Sequence, residues 1–301
     1  MPIPFYPEFA PISLDMRAEL HPWFLSLEAG LSEFTFSNIY LFRHNYNYKL
    51  SRFAEGKYLI IGTKNGRTFF SAPWGPPAMP VVQELLEQID YYKNLNESQA
   101  TELRDTLLAA GLQLVEDRDN FDYLYDSTEM ATLEGKRFHK KRNHIHQFFA
   151  QYPTGFEGRM MTSSPEDTAA ALELLERWQS TREDRSDYLP SQDALHLRDE
   201  LQLTGRIWTL NGRTVGFAQG EPTQLGRAFT IHFEKADGHE YKGVYQAIFF
   251  DWAGYLKDQY ALINREQDLG DPGLRQAKET YRPVAFVRKY RVEKASWIQQ
   301  A

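Results

Sequence analysis

The spacing of hydrophobic positions changes period along the chain, and the changes mark its elements. Val82, Leu85, Leu86 and Ile89 recur at helical spacing and predict a helix over 81–93. A second helix spans 98–110 and stops at Gly111. Ahead of them, short helices at 13–27 and 36–43 precede three strand-like runs, 48–53, 57–63 and 67–72. The last two meet at Asn65-Gly66, a pair suited to a type I′ hairpin because both turn positions need positive φ. Strands at 112–116 and 121–125 close the first half. The second half opens with a strand at 156–161 and a helix begun by Ser164-Pro165-Glu166-Asp167, buried through Ala171, Leu174, Leu175 and Trp178. After a helix at 191–203, strands 206–210 and 214–221 flank Asn211-Gly212, and a third antiparallel strand covers 227–234. An aromatic helix at 242–256 leads to a compact apolar strand at 260–264. Asp271-Pro272 then reads as an N-cap acid with proline at the first helical position, for a helix reaching Tyr281 and stopped by Pro283. Alternation over 284–292 predicts a final strand.

From residue 156 the order is strand, two helices, three antiparallel strands, helix, strand, helix, strand. That order resembles the GCN5-related N-acetyltransferase (GNAT) fold, and the first half repeats much of it. The expected class is α+β, with α/β-type mixed sheets in two tandem GNAT-like domains. The boundary falls at Gln151-Tyr152-Pro153-Thr154-Gly155, giving domains 1–152, whose basic helix 135–152 bridges to the next, and 153–301, which carries the site. In this fold an acyl donor lies where two parallel strands splay, with its pyrophosphate on free N–H groups at the next helix start. The splaying strands here are 227–234 and 260–264, and the cradle is 238–243, with Tyr241, Lys242, Gly243 and Tyr245 against the cofactor. Glu240 places an acid beside that cradle, and Tyr245 stands where a small residue is usual. Such an aromatic either stacks on an adenine or closes the slot.

Composition narrows the class. The chain has 301 residues, 42% hydrophobic and 25% charged, which fits a globular protein with two cores. No window approaches the run of about 18 apolar residues that reads as a membrane span, and the N-terminus lacks a signal-peptide pattern, so the expected location is cytoplasmic, without membrane insertion. The absence of cysteine excludes a thiol nucleophile, disulfides and Cys-ligated metal. A formal net charge of −7 argues against a dedicated nucleic-acid binder but leaves room for a local basic patch.

Candidate chemistry concentrates at 264–283, where charge crowds between a buried strand and a helix start. Glu234, Glu266 and Asp268 are candidate bases for acyl transfer, and Tyr281 a candidate acid for the leaving group. By alternation Thr230, His232 and Glu234 share one strand face, with His232 read as structural. The most basic segment, 135–149, puts Phe138, Arg142, Ile145, Phe149 and Tyr152 on one helical stripe. Its other face offers Lys136, Lys140 and Asn143, beside His144, as anion ligands, joined by Asn264 and Arg265. Glu266 or Asp268 is expected to pair with Arg142 or Lys140. His139, His144 and His146 are not spaced as a metal set, and no metalloprotease, Walker or nucleophile-elbow motif occurs.

Three segments, 133–145, Tyr241-Lys242-Gly243-Val244-Tyr245-Gln246, and Asn264-Arg265-Glu266-Gln267-Asp268-Leu269-Gly270 through Tyr281-Arg282-Pro283, resemble the bacterial DUF2156 group. That group is similar to the C-terminal domain of aminoacyl-phosphatidylglycerol synthases. The resemblance covers nearly the whole chain. It implies transfer of an aminoacyl group from aminoacyl-tRNA to an unidentified small-molecule or peptide acceptor, at a cleft between the two domains, with the basic helix meeting RNA phosphates. The alternatives are an acetyl-CoA-dependent N-acetyltransferase and a non-catalytic ligand- or protein-binding scaffold.

Overall fold

The computed structural model describes residues 2–294. The chain forms two compact units. The first comprises the described residues through Asp122, together with Gln267–Gly270 and those from Phe286 onward, and the second comprises Tyr123–Glu266 and Asp271–Ala285. The sequence reading placed a boundary after Tyr152. The observed changeover lies thirty residues earlier because strand pairing, not linker composition, assigns the segment.

In the first unit a seven-stranded sheet runs in the order Ala10–Pro11, Lys49–Ala54, Lys57–Lys64, Arg67–Ser71, Tyr91–Leu95, Tyr290–Lys294, Leu112–Glu116. The Asn65-Gly66 turn forms as expected, with φ of 51° and 76°. Helix Met79–Gln88 buries Val82, Leu85 and Leu86 against Leu59, Phe70, Tyr92 and Val292. The alternating stretch predicted as one strand over 284–292 is two strands, Ala285–Val287 and Tyr290–Lys294. Between them Lys289 is wholly buried, and its ammonium meets Asp122 at 2.7 Å as well as Glu33. Asp122 also accepts from the backbone N–H and hydroxyl of Ser32 at 2.8 and 2.9 Å. Lys289 keeps the alternation of Val287 and Arg288, and the pattern changes at Tyr290, where the chain has passed from one seven-stranded sheet to the other.

In the second unit the sheet order is Ala285–Val287, Asp122–Asp126, Leu262–Asn264, Ala228–Ala236, Arg213–Thr223, Thr204–Leu210, Phe156–Met160. Strand Leu262–Asn264 runs parallel to Ala228–Ala236 over three residue pairs, Ala228↔Leu262 to Thr230↔Asn264. The longer strand then continues without that neighbour to Ala236. Helix Val244–Leu256 packs Val244, Ala247, Ile248, Phe249 and Trp252 on one side of the sheet, with Ile145 and Phe148 of the basic helix His139–Gln151 in the same core.

Lys289→Met removes the shared cation and leaves two buried carboxylates facing each other. Denaturant unfolding of the variant should show a loss of about 3–5 kcal/mol, the usual cost of breaking a buried ion pair from one side. A loss below about 1 kcal/mol, the size of a surface pair, means that this cluster does not hold the first unit together.

Candidate functional site

The site starts from one irregularity. Strand Ala228–Ala236 pairs with Arg213–Thr223 as Phe233↔Gln219 and then Ile231↔Gly220, so His232 is an extra residue, a β-bulge. Gly220 lies against it, where a Cβ would fall 2.0 Å from the Thr230 carbonyl oxygen. The bulge reverses the alternation. Phe229 and Ile231 belong to the core packed by helix Val244–Leu256, and beyond the bulge Ala236 rejoins that core. Glu234 turns to the same side, while Lys235 turns the other way, to Asp187 and the Trp178 ring. The expectation that Thr230, His232 and Glu234 share a face is therefore corrected, since simple alternation assumes an unbroken ladder.

Glu234 meets Arg265 with 2.7 Å between Oε1 and Nη2. The Arg265 guanidinium lies 3.9 Å from the ring centre of Phe249 and 5.4 Å from that of Tyr281, whose phenol it also hydrogen-bonds. Over the Tyr281 ring, at 3.7 Å, sits the ammonium of Lys141. Among the described residues Lys141 has no hydrogen-bond or ion-pair partner for that ammonium. The second carboxylate oxygen of Glu234 is buried and unbonded. Lys278 fixes the backbone beneath, donating to the carbonyls of Arg265 and Glu266 at 2.6 and 3.0 Å. Tyr125 in turn donates to the Lys278 carbonyl at 2.9 Å.

Burial sets the protonation of this group. It raises the Glu234 carboxyl, against the opposing pull of Arg265, Lys278 and Lys235. It raises the Tyr281 phenol although Arg265 works the other way. It lowers Lys141 to about 8, with the Arg265 charge adding to the effect. Burial thus shifts the carboxyl up and the amine down, each toward its neutral form.

On the bulge, His232 bridges two carboxylates, Nε2 to Glu221 at 2.9 Å and Nδ1 to Glu266 at 2.7 Å. Burial alone would lower its pKa, but the two hydrogen bonds and the two negative charges outweigh it and raise it to about 10. Both ring nitrogens therefore donate, and the side chain is an imidazolium through the neutral range. Glu266 has φ of 55° and its N–H is held by the Asn264 side chain at 2.8 Å.

The proposed cofactor cradle takes a different form. Tyr245 is turned into the protein, where its phenol oxygen accepts from Trp178 Nε1 at 2.9 Å and from the backbone of Ala236. Its ring lies against Gly238, where a Cβ would come within 2.9 Å of it. Gly243 is left-handed, with φ of 91°, and caps the helix. Lys242 is exposed, and Tyr241 lies beside Arg213 at 3.4 Å from its Nη1.

The remaining sequence candidates are dispersed. Lys136, Lys140 and Asn143 are exposed on the basic helix. Arg142 donates to the carbonyls of Leu133 and Gly135, closing the turn before the helix. Asp268 is in the first unit, paired with Arg118 at 3.0 Å. The expected pairing of Glu266 or Asp268 with Arg142 or Lys140 is thus replaced by other partners for each. Sequence reasoning also missed Lys141, Lys278 and Glu221. The inward stripe of the basic helix is Phe138, Lys141, Ile145 and Phe148, one position away from the predicted one, and it fits helical spacing equally well.

Two tandem GNAT-like domains thus define the class of protein. The chain matches the family model described as "Phosphatidylglycerol lysyltransferase, C-terminal" over residues 25–293, and it belongs to that family. A conserved protein of unknown function from Bacteroides thetaiotaomicron is similar in structure, with TM-score 0.83 and 29% identity over 95% of this chain and 99% of that one. The C-terminal domain of a putative lysylphosphatidylglycerol synthetase from Agrobacterium fabrum gives 0.67 at 14% identity over 95% and 93%. L-PGS from Bacillus licheniformis gives 0.64 at 16% over 98% and 94%. An uncharacterized protein of Mycoplasmoides gallisepticum is 26% identical over 179 residues, which is 57% of this chain and 56% of that relative, so the match spans little more than half of it. No described helix is long and apolar enough to cross a membrane.

Because the folded pKa of His232 exceeds its ordinary value of about 6.5, its contribution to stability is complete below that value and fades as pH rises toward about 10. His232→Gln should therefore cost about 3 kcal/mol at pH 6 and progressively less at higher pH in parallel urea titrations. A gap between wild type and variant that does not narrow with pH is incompatible with a charged bridge.

Proposed function

We propose that the second unit transfers an aminoacyl group from aminoacyl-tRNA to a nucleophilic acceptor, with Glu234 as the general base. The observation that carries this reading is the buried Glu234 carboxylate, one oxygen on Arg265 and the other unbonded, with Arg265 and the unpartnered Lys141 both against the Tyr281 ring. The free oxygen takes the proton of the acceptor amine or hydroxyl as that atom attacks the ester carbonyl. The Lys141 and Arg265 charges offset the negative charge that develops on the carbonyl oxygen. The new bond to the acceptor forms, the ester C–O bond breaks, and Tyr281 or Lys141 supplies a proton to the departing tRNA hydroxyl. Glu266 is a weaker candidate than Glu234 because its carboxylate is already committed to His232.

The exposed basic side of helix His139–Gln151, with Lys136, Lys140, Asn143 and His144, offers charge to RNA phosphates. The family's lysyltransferase description supports aminoacyl chemistry, and a tRNA donor implies a reaction in the cytoplasm. Acetyl-CoA is the less favoured donor: Tyr245 occupies the hydrogen-bonding position at Ala236, and Glu240 sets an acid near the cradle.

The test is incubation of the full chain with radiolabelled aminoacyl-tRNAs and candidate amine acceptors, scored for transfer or deacylation. Glu234→Gln should lower the rate about 10²- to 10⁴-fold, the usual share of a general base. Wild-type rate should rise with pH through the elevated Glu234 pKa, because only the ionised carboxylate accepts a proton. An unchanged rate in Glu234→Gln refutes the role of that residue, and stabilisation by acetyl-CoA without turnover of aminoacyl-tRNA would transfer the assignment to the acetyltransferase class.

A further inference from the structure

The first unit carries a buried cation that the reaction above does not use. Lys93, on strand Tyr91–Leu95, is 4% exposed. Its ammonium faces the Phe69 ring at 5.1 Å and the Tyr46 ring at 5.7 Å. Among the described residues it makes no hydrogen bond and no ion pair. The nearest acid in electrostatic terms, Glu33, is already bonded to Lys289. Burial lowers Lys93 to about 8, although Glu33 pulls in the opposite direction. A desolvated charge without a partner is costly, so its retention at this depth needs an explanation.

The backbone around it is also built irregularly. Strands Arg67–Ser71 and Tyr91–Leu95 are parallel neighbours only at Phe69↔Tyr91 and Phe70↔Tyr92, and at Lys93 the backbone ladder gives way to a side-chain bond, the Ser71 hydroxyl donating to the Lys93 carbonyl at 3.0 Å. On the other side, Tyr290↔Leu95 is followed by Val292↔Tyr92, so Lys93 and Asn94 together stand opposite a single residue. Asn94 takes the left-handed conformation, φ 63°, and its buried side-chain oxygen is unbonded. A bulge that leaves two polar groups unsatisfied is a pattern found at binding sites.

We propose that Lys93 anchors a second ligand site, in the first unit, for a small organic monocarboxylate with a flat apolar body. The carboxylate pairs with the ammonium, and the body packs on the Phe69 and Tyr46 rings. A monoanion fits better than a phosphate. One lysine near Glu33 cannot offset a double charge, and the helix that connects these two strands, Met79–Gln88, starts among Pro76, Pro77 and Pro80, which lack the N–H groups a phosphate would need.

Benzoate is the probe, with acetate and inorganic phosphate as controls at matched ionic strength, added to the full chain. Benzoate at about 10 mM should raise the wild-type melting temperature by about 3 °C or more, acetate less, and phosphate no more than salt alone. Isothermal titration should show one benzoate site, weakened at least tenfold in Lys93→Met and in Lys93→Gln. Equal binding by wild type and either folded variant overturns the proposal, as does the absence of binding to wild type. Should neither variant fold, 13C-lysine NMR of the wild type decides. Lys141 also titrates near 8, so the signal that persists in Lys141→Met belongs to Lys93; it must move to higher pH when benzoate is bound, and no such movement is an equal refutation.

Discussion

The second unit depends on one ionic constraint, the imidazolium of His232 held between Glu221 and Glu266. It stands on the one extra residue of the strand and stabilises the bulge from both sides. Glu221 belongs to the neighbouring strand and Glu266 to the turn that follows Leu262–Asn264, so a single side chain sets the spacing of three segments. The bulge brings Glu234 to the side of Phe249 and Tyr281, and the fixed turn brings Arg265 to meet it. Remove the bulge in thought, and Glu234 returns to the face of Thr230, away from every group it now contacts.

Both units bury charge, but to different effect. In the first, Lys289, Asp122 and Glu33 satisfy one another, a closed network suited to holding strands in register. In the second, Glu234 and Lys141 are each left with unmet hydrogen-bonding capacity. Closed networks stabilise; open ones are available to a ligand. That contrast separates structural charge from candidate chemistry better than residue type does, and it also distinguishes Lys93 from Lys289.

Beyond the three residue pairs it shares with Leu262–Asn264, strand Ala228–Ala236 loses that neighbour, and a tyrosine from the start of the following helix fills the hydrogen-bonding position at Ala236. The aromatic that sequence could read two ways, as a stacking platform or as a plug, is a plug in this conformation. Its partner Trp178 lies on helix Pro165–Ser180, 67 residues away in sequence, so only packing could decide the matter.

The sequence by itself determined most elements, both Asn-Gly hairpins, the tandem GNAT-like class and three residues that prove to be neighbours, Glu234, Arg265 and Tyr281. These follow from local physics: hydrophobic period, turn conformations, and the change from apolar strand to polar loop. Tertiary structure alone decided the rest. It chose Lys141 over Arg142 as the inward cation, because two stripes of equal helical period differ only in what they pack against. It divided 284–292 into strands of two different sheets, because the pairing partners of each half are distant in sequence. It placed Glu234 by inserting His232 as a bulge, because the carboxylates that hold a bulge come from other segments, and no periodicity within one strand records them.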